Sequence, residues 1–159
     1  MGFFSGVKIR TGVPGTFKGA INDAGWLQED VIAAGHLRQG RAGFFGGFQW
    51  LLPSRSKKLP RHFVLALTAN EVVAFRATEV GGPEGSAYVQ LKIREGVRAR
   101  YPLESVSLTD LPDGAASAGG TLTIDGDSFS VMRPNQYGDP NTDELIAVMA
   151  GLPPVTWPR

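Results

Sequence analysis

The sequence predicts a mainly β fold of the α+β class, in which an antiparallel barrel or sandwich of six to seven strands is capped by a C-terminal α-helix and accompanied by a short N-terminal helix. Three observations support this class. Apolar and polar residues alternate through most of 62–131, turn signals divide that stretch into short runs, and the period becomes helical over 139–151. The 21 glycines and 11 prolines also favour short elements joined by turns.

The N-terminal part is weakly patterned. The run "GTFKGAIND" over 15–23 predicts one strand, with Asn22, Asp23 and Gly25 as the turn that follows it. In "LQEDVIAAGHLRQG", over 27–40, apolar residues recur at spacings near three to four, which predicts a short amphipathic helix. The segment "DVIAAGHL" also fits an edge strand, so both alternatives remain open.

The centre of the chain predicts consecutive hairpins. The runs "HFVLALT" (62–68) and "EVVAFRAT" (71–78) are separated by "AN", a tight-turn signal in which Asn70 is able to accept a left-handed conformation. The run "AYVQLKIREGVRARY" (87–101) alternates, with Val89, Leu91 and Ile93 on one face. "ESVSLTDL" (104–111) repeats the alternation, and such hairpins readily curl into a barrel.

The last hairpin and the C-terminal helix carry the strongest local signals. Asp125-Gly126 lies between "TLTI" and "DSFSVM", a pairing typical of a hairpin turn. In "DPNTDELIAVMAG" we expect Asp139 or Asn141 as N-cap, with Glu144 in capping-box position relative to Asn141. The expected apolar face comprises Leu145, Ile146, Val148 and Met149.

We expect a single domain over 1–159, with an N-terminal extension (1–25), a core closed by the C-terminal helix (26–151) and a Pro-rich tail (152–159). The chain has no cysteine, which excludes disulfides and thiolate metal sites. Its longest apolar run is about ten residues, well short of the ~20 that a spanning helix needs. With no signal-peptide pattern either, we expect a cytoplasmic protein, with a membrane-peripheral location as the alternative.

Four stretches together resemble a known family. They are "HFVLALTANEVVAFRA", "YPLESVSLTDL", "GTLTIDGDSFSV" and "GDPNTDELIAVM". In this order they resemble the pleckstrin-homology-like (PH-like) domains of high-GC Gram-positive bacteria, over roughly residues 60–151, with 27–52 as the leading element. The resemblance implies a PH-like barrel closed by a helix and a general binding role, and it implies no catalytic residue.

The sequence offers no recognisable catalytic or cofactor motif. It lacks GxSxG, HExxH and Walker patterns, and its two histidines, His36 and His62, have no acid or nucleophile placed beside them in the sequence. The acidic runs 125–127 and 139–143 are explained by a hairpin turn and a helix cap, because the calcium-loop spacing fails. We therefore expect no enzyme activity, no cofactor and no metal site.

The positive charge is concentrated in the middle of the chain. Residues 55–100 hold nine Lys or Arg against four Asp or Glu, whereas 101–159 hold two against eight. Alternation would place four of these cations on one face if the strand continues past Gly96. The candidate anion- or partner-binding residues are Arg55, Lys57, Lys58, Arg61, Lys92, Arg94, Arg98 and Arg100.

The stretch "GFFGGFQWLLPSRSKKLPR" (43–61) joins aromatic residues to a cationic run. It fits a buried strand with a bend at Gly46-Gly47, and alternatively an exposed apolar docking loop. The candidate docking residues are Phe44, Phe45, Phe48 and Trp50.

The preferred function is a non-enzymatic module that binds an unknown protein or peptide partner. The alternative is a peripheral membrane module that binds anionic headgroups through 43–61 and the basic strand, and a weaker one is a small-ligand barrel. Nucleic acid fits less well, because the net charge is only +1 and exposed aromatics do not interleave with the cations.

Overall fold

A computed structural model describes residues 6–11, 13–39, 59–80, 90–109, 119–132 and 139–149. Its helices are α1 (Thr16–Ala24) and α2 (Pro140–Met149), and one 3-10 turn spans Leu103–Ser105. The strands are β1 (Gly6–Arg10), β2 (Ala33–Gln39), β3 (His62–Leu67), β4 (Glu71–Val80), β5 (Gln90–Pro102), β6 (Val106–Thr109), β7 (Gly119–Ile124) and β8 (Asp127–Met132).

The strands form one antiparallel sheet in the order β1-β5-β4-β3-β2-β8-β7-β6. Within the described residues no pairing joins β1 to β6, so the sheet is open and folds over itself as a sandwich. This confirms the predicted class, a mainly antiparallel β protein with a short N-terminal and a C-terminal helix. The described residues form eight strands, against the six to seven expected. β1 lies in the weakly patterned N-terminal part of the sequence.

Both faces of the central strands are buried, which produces two apolar clusters. The first cluster fills the sandwich between the two halves of the sheet and includes Phe63, Leu122, Phe129 and Leu145. The second cluster lies on the opposite face of β3, β4 and β5, under α1, and includes Phe17 and Ile21. These fully buried side chains each contribute about 1.5–3 kcal/mol to stability.

The predicted strand over 15–23 is wrong, because this segment is helix α1. Phe17 and Ile21 lie four residues apart, so a helix turns both onto the sheet, where both are buried. Gly15 and Gly25 bound the helix with φ angles of 76° and 68°, a conformation that glycine adopts at little cost.

The predicted helix over 27–40 is also wrong, and the alternative of a strand is closer to the structure, since Ala33–Gln39 form β2. Alternate residues of β2 face opposite clusters: Ala33 and Leu37 join the first, and Ala34 joins the second. A strand buried on both faces loses the polar-apolar alternation that identifies strands in a sequence.

Two tight turns close hairpins at one end of the sheet. Asp125 and Gly126 both have positive φ angles, 49° and 86°, as the Asp-Gly prediction requires. The β3–β4 turn is present as predicted, but Asn70 does not use the left-handed conformation that it could accept. Instead the Thr68 hydroxyl accepts hydrogen bonds from the backbone N–H groups of Asn70 and Glu71, at 3.3 and 3.1 Å.

The first turn of α2 links both helices to the sheet. Asp139 is the N-cap, as predicted, since its Oδ1 accepts the N–H of Asn141 at 3.1 Å. The capping-box role of Glu144 is wrong: its carboxylate instead binds Lys18 of α1 at 3.0 Å. The predicted apolar face is correct, with Leu145 and Ile146 buried in the first cluster. Val148 and Met149 pack against it.

Asn141 caps the other helix rather than its own. Its Oδ1 accepts the N–H of Phe17 at 3.3 Å, and its Nδ2 donates to the carbonyl of Val13 at 2.8 Å. Since Gly15 has no side chain to cap α1, a buried amide from the far end of the chain performs that task.

Thr142 completes the edge of β2. Only Arg38 and Gln39 pair with β8, and no strand of the described residues pairs with the preceding part of β2 on that side. The Thr142 hydroxyl accepts the N–H of His36 at 3.0 Å and lies 3.2 Å from its carbonyl oxygen, to which it donates. Gly35 permits this approach, because a Cβ there would lie 2.6 Å from the Thr142 Cα.

We expect Gly35→Ala to destabilise the fold by at least ~2 kcal/mol, because the added methyl forces α2 away from β2. Gly19→Ala is the matched control: a Cβ at this α1 position meets nothing within 4 Å, so it should stabilise by ~0.5–1 kcal/mol. Urea denaturation of both variants measures the difference. Equal stability of the two variants would contradict the close packing of α2 on β2.

We expect Asn141→Ala to destabilise the fold by roughly 2–4 kcal/mol, because α1 loses its cap and buried polar groups lose a partner. Asn70→Ala serves as control, since exposed Asn70 makes a side-chain hydrogen bond to Glu29, and its loss should cost less than ~1 kcal/mol. Thermal unfolding gives both values. An Asn141 variant as stable as the Asn70 variant would contradict the capping role.

Candidate functional site: a cationic face beside an edge strand

The candidate site lies where β4, β5 and β1 extend past the sandwich. On one face of this extension Ile9, Ala77, Leu91 and Ile93 are buried in the second cluster. The opposite face lies on the side of the first cluster, but Arg76 stands where the apolar series of Val72 and Ala74 ends. Beyond Arg76 the register positions of this face belong to polar residues, except for that of Val80.

We call this polar surface the cationic face. One row across β4, β5 and β1 consists of Thr78, Lys92 and Lys8. The next row consists of Val80, Gln90 and Arg10. Arg94 is paired with Gly6 in the row on the other side. Since directly paired residues of an antiparallel sheet point to the same face, the cationic face comprises Arg76, Lys92 and Arg94 with the positions of Lys8 and Arg10.

No acidic residue occupies a regular register position of the cationic face. Glu79 pairs with Leu91 and therefore belongs to the opposite face. Glu95 belongs to the irregular stretch of β5 between Ile93 and Val97. Arg76 and Arg94 are exposed and Lys92 is half-buried, and none of them forms an ion pair with another described side chain. The face therefore combines several positive charges without a balancing carboxylate at its regular positions.

The structure separates residues that the sequence placed together. Lys92 and Arg94 share a face, as predicted, but Arg100 does not share it with them. Between the pairs Ala74–Ala99 and Ala77–Ile93, β5 contains three more residues than β4. An odd number of extra residues exchanges the two faces of a strand. The parity prediction is wrong for this reason.

Arg100 has a local structural partner. It pairs with Val73 of the second cluster side, and its guanidinium contacts the Glu71 carboxylate at 2.7 Å. Both groups are partly exposed, so this ion pair is worth at most ~1 kcal/mol. Arg100 thus belongs to the tight-turn end of the sheet and not to the cationic face.

The other predicted site residues are placed as follows. Arg61 is exposed, immediately precedes β3, and accepts the N–H of Gln39 on its carbonyl at 2.8 Å. Arg98 is a residue of β5. The remaining ones lie outside the described residues: Arg55, Lys57, Lys58, Phe44, Phe45, Phe48 and Trp50.

Sequence reasoning missed Arg76, Lys8 and Arg10. The run "GVKIR" (6–10) does alternate, but it is too short to stand out among the surrounding glycines. Arg76 interrupts the apolar series of Val72 and Ala74, and a charge at the next position of that series indicates where a buried face ends.

Five of the described carboxylates lie at the other end of the sheet, beside the tight turns. Glu29 accepts a hydrogen bond from Asn70 at 2.7 Å, Glu71 pairs with Arg100, and Glu104 lies in the exposed 3-10 turn. Asp125 and Asp127 close the β7–β8 hairpin at that end. These carboxylates lie away from the cationic face, whereas Asp143 and Glu144 lie in α2 and Arg100 lies among the carboxylates of the tight-turn end.

The two histidines form one hydrogen-bonded pair next to the cationic end of the sheet. His36 Nε2 and His62 Nδ1 lie 3.0 Å apart, and Arg38 pairs with His62 in the strand register. Burial, followed by the proximity of His62 and Arg38, lowers the pKa of His36 to about 3. His36 is therefore neutral at physiological pH and serves to hold β2 and β3 together.

In the described part of the chain, no three His, Asp or Glu side chains converge as metal ligands would. Nor is any helix there long and apolar enough to cross a membrane.

No protein-family model matches the chain, and a search of curated proteins found no match either. The resemblance to PH-like domains therefore stays a proposal, argued from the residues and the topology.

We expect the stability to fall as the pH is lowered through the window between about 6.5 and 3. An unfolded histidine takes up a proton near pH 6.5, whereas folded His36 does so only near its lowered pKa of about 3. His36 therefore costs up to ~1.4 kcal/mol per pH unit within this window and nothing above it.

Urea denaturation at pH 7 and pH 5 checks this expectation. His36→Gln should lose about 2 kcal/mol less between the two values than the wild type does. His62→Gln is the control, because it leaves the buried titratable group in place. The same pH dependence in wild type and His36→Gln would show that this buried imidazole does not set it.

Proposed function

We propose that the chain is a PH-like, non-enzymatic binding module that recognises an acidic segment of a protein partner on its cationic face. The observation that carries the proposal is the face itself: Arg76, Lys92 and Arg94 share one exposed side of the sheet extension, whose regular positions hold no acid. Packing like charges together weakens a fold, so an unbalanced group is best explained by an anionic partner.

The architecture supports the same proposal. Among the described residues the sandwich interior is lined by apolar side chains of the first cluster, which supports recognition at the surface. α2 lies across the gap beside β2, which agrees with the closing helix that the resemblance implies. The small-ligand alternative has less support, because the buried interior presents apolar groups rather than convergent polar ones.

A second candidate is an anionic membrane surface, and one observation favours it. The Gln39 side chain donates to the carbonyls of Leu59 and Pro60, at 2.7 and 2.9 Å, so the two ends of the connection 40–58 are tied together beside Arg61. That connection contains four aromatic residues, four cations and no acid. Each cation near an anionic bilayer adds ~1 kcal/mol of attraction.

Affinity capture from a native lysate tests the protein-binding proposal with two variants of equal charge change. Lys92→Gln/Arg94→Gln should lose at least ~90% of the partners that the wild type enriches, because two charged contacts of ~1 kcal/mol or more are removed. Arg100→Gln/Lys18→Gln, which neutralises cations with partners inside the fold, should retain them. Quantitative mass spectrometry gives the ratios.

The same variants separate the two candidates. Sedimentation with phosphatidylglycerol vesicles and with phosphatidylcholine vesicles measures membrane binding directly. Binding to the anionic vesicles that the face variant abolishes would favour the membrane. If the face variant and the control capture the same proteins, and neither vesicle binds the chain, the cationic face is not a binding site.

A further inference from the structure

The outer edge of β1 adjoins the cationic face and is the place where a partner strand fits. β1 pairs with β5 on one side, and no other strand of the described residues pairs with its outer side. An antiparallel strand has backbone N–H and C=O groups on both sides, and an edge presents one row of them to solvent. Such a row can accept an extended peptide as an added strand.

We propose that the acidic segment of the partner binds as an extra antiparallel or parallel strand along the outer edge of β1. This inference rests on the proposed function and specifies how recognition occurs. The partner segment continues the sheet, so its side chains alternate between the two faces that β1 already separates.

The register defines the chemistry of that segment. On one face it continues the rows that hold the register positions of Lys8 and Arg10, with Lys92 in the next strand, which favours carboxylates. On the other face it lies beside Val7 and Ile9, which belong to the apolar side covered by α1. The segment that fits therefore alternates acidic and aliphatic residues.

Charge argues against a second copy of the chain as the occupant and against β6 as the binding edge. A second copy of the chain that paired β1 with β1 would bring Lys8 and Arg10 against the same residues, and like charges placed opposite each other destabilise a strand pair. The other open edge, β6, carries Ser107 and Thr109 on its outward face and no charge, so it offers no selectivity for an acidic strand.

The test uses short synthetic peptides and the full chain. The first probe alternates valine and glutamate, the second has the same composition with its glutamates clustered, and the third alternates valine and lysine. NMR titration should show that the first binds, with amide shifts in β1 and not in β6, and that the other two bind at least about tenfold more weakly. Lys92→Gln/Arg94→Gln should weaken the first peptide about tenfold, whereas Arg100→Gln should not change its affinity.

Backbone methylation makes the strand itself testable. Methylating alternate peptide nitrogens removes donors on one side of the strand, so of the two possible methylated series one should bind at least about tenfold more weakly. Equal affinity of both methylated series and the parent peptide would overturn strand addition while leaving an acidic partner on the cationic face in place. Shifts confined to Arg76 and Arg94, with β1 unchanged, would overturn it in the same way.

The outcomes of the peptide and lysate experiments separate strand addition from the proposed function. If none of the peptides binds while the face variant still loses its lysate partners, strand addition is wrong and the binding face stands. If the valine-lysine peptide binds as well as the valine-glutamate peptide, the cations do not select the partner and the inference is overturned.

Discussion

The fold depends on the contact between the first turn of α2 and the open side of β2. β2 is the strand through which the two halves of the sheet are joined, yet only Arg38 and Gln39 pair with β8. Elsewhere along its edge Thr142 hydrogen-bonds to the backbone of His36, at a distance that only a glycine at position 35 allows. Asn141 in the same turn caps α1. One helical turn therefore satisfies polar groups of a strand and of another helix, which would otherwise be buried without partners.

The cationic face follows from an inequality of strand lengths. β4 and β5 have 10 and 13 residues, whereas β6, β7 and β8 have four to six, so the second half of the sheet and α2 cover only part of the first. In the part of β4 and β5 that the second half of the sheet does not cover, an apolar surface is needed on one side only, the side packed under α1. The other side is released from the core and holds Arg76, Lys92 and Arg94. The same difference in strand length leaves β1 at the edge of the described sheet, where it pairs with the extension of β5.

What the sequence predicted well was local. The strands β3, β4, β7 and β8, the Asp125-Gly126 turn and the Asp139 cap follow from patterns a few residues long, which physical chemistry fixes without the rest of the chain. The sequence predicted a strand where α1 lies and a helix where β2 lies. These two errors depend on what covers each face, since β2 is buried on both sides. The position of Arg100 depends on irregular pairing between β4 and β5, and the role of Asn141 depends on Phe17, 124 residues away. Alternation alone contains none of these long-range facts.

The described charges divide into those with an ion-pair partner inside the fold and those without one. Lys18 with Glu144 joins the two helices, and Arg100 with Glu71 joins neighbouring strands at the tight-turn end, each at 3.0 Å or less. On the cationic face the described side chains of Arg76, Lys92 and Arg94 have no such ion pair, although the chain contains nearly as many acidic as basic residues. A surface arranged for stability or solubility alone would intersperse the two signs. At the described positions of the cationic face the two signs are not interspersed, which supports the proposal that an anionic partner binds there, beside the backbone groups at the outer edge of β1.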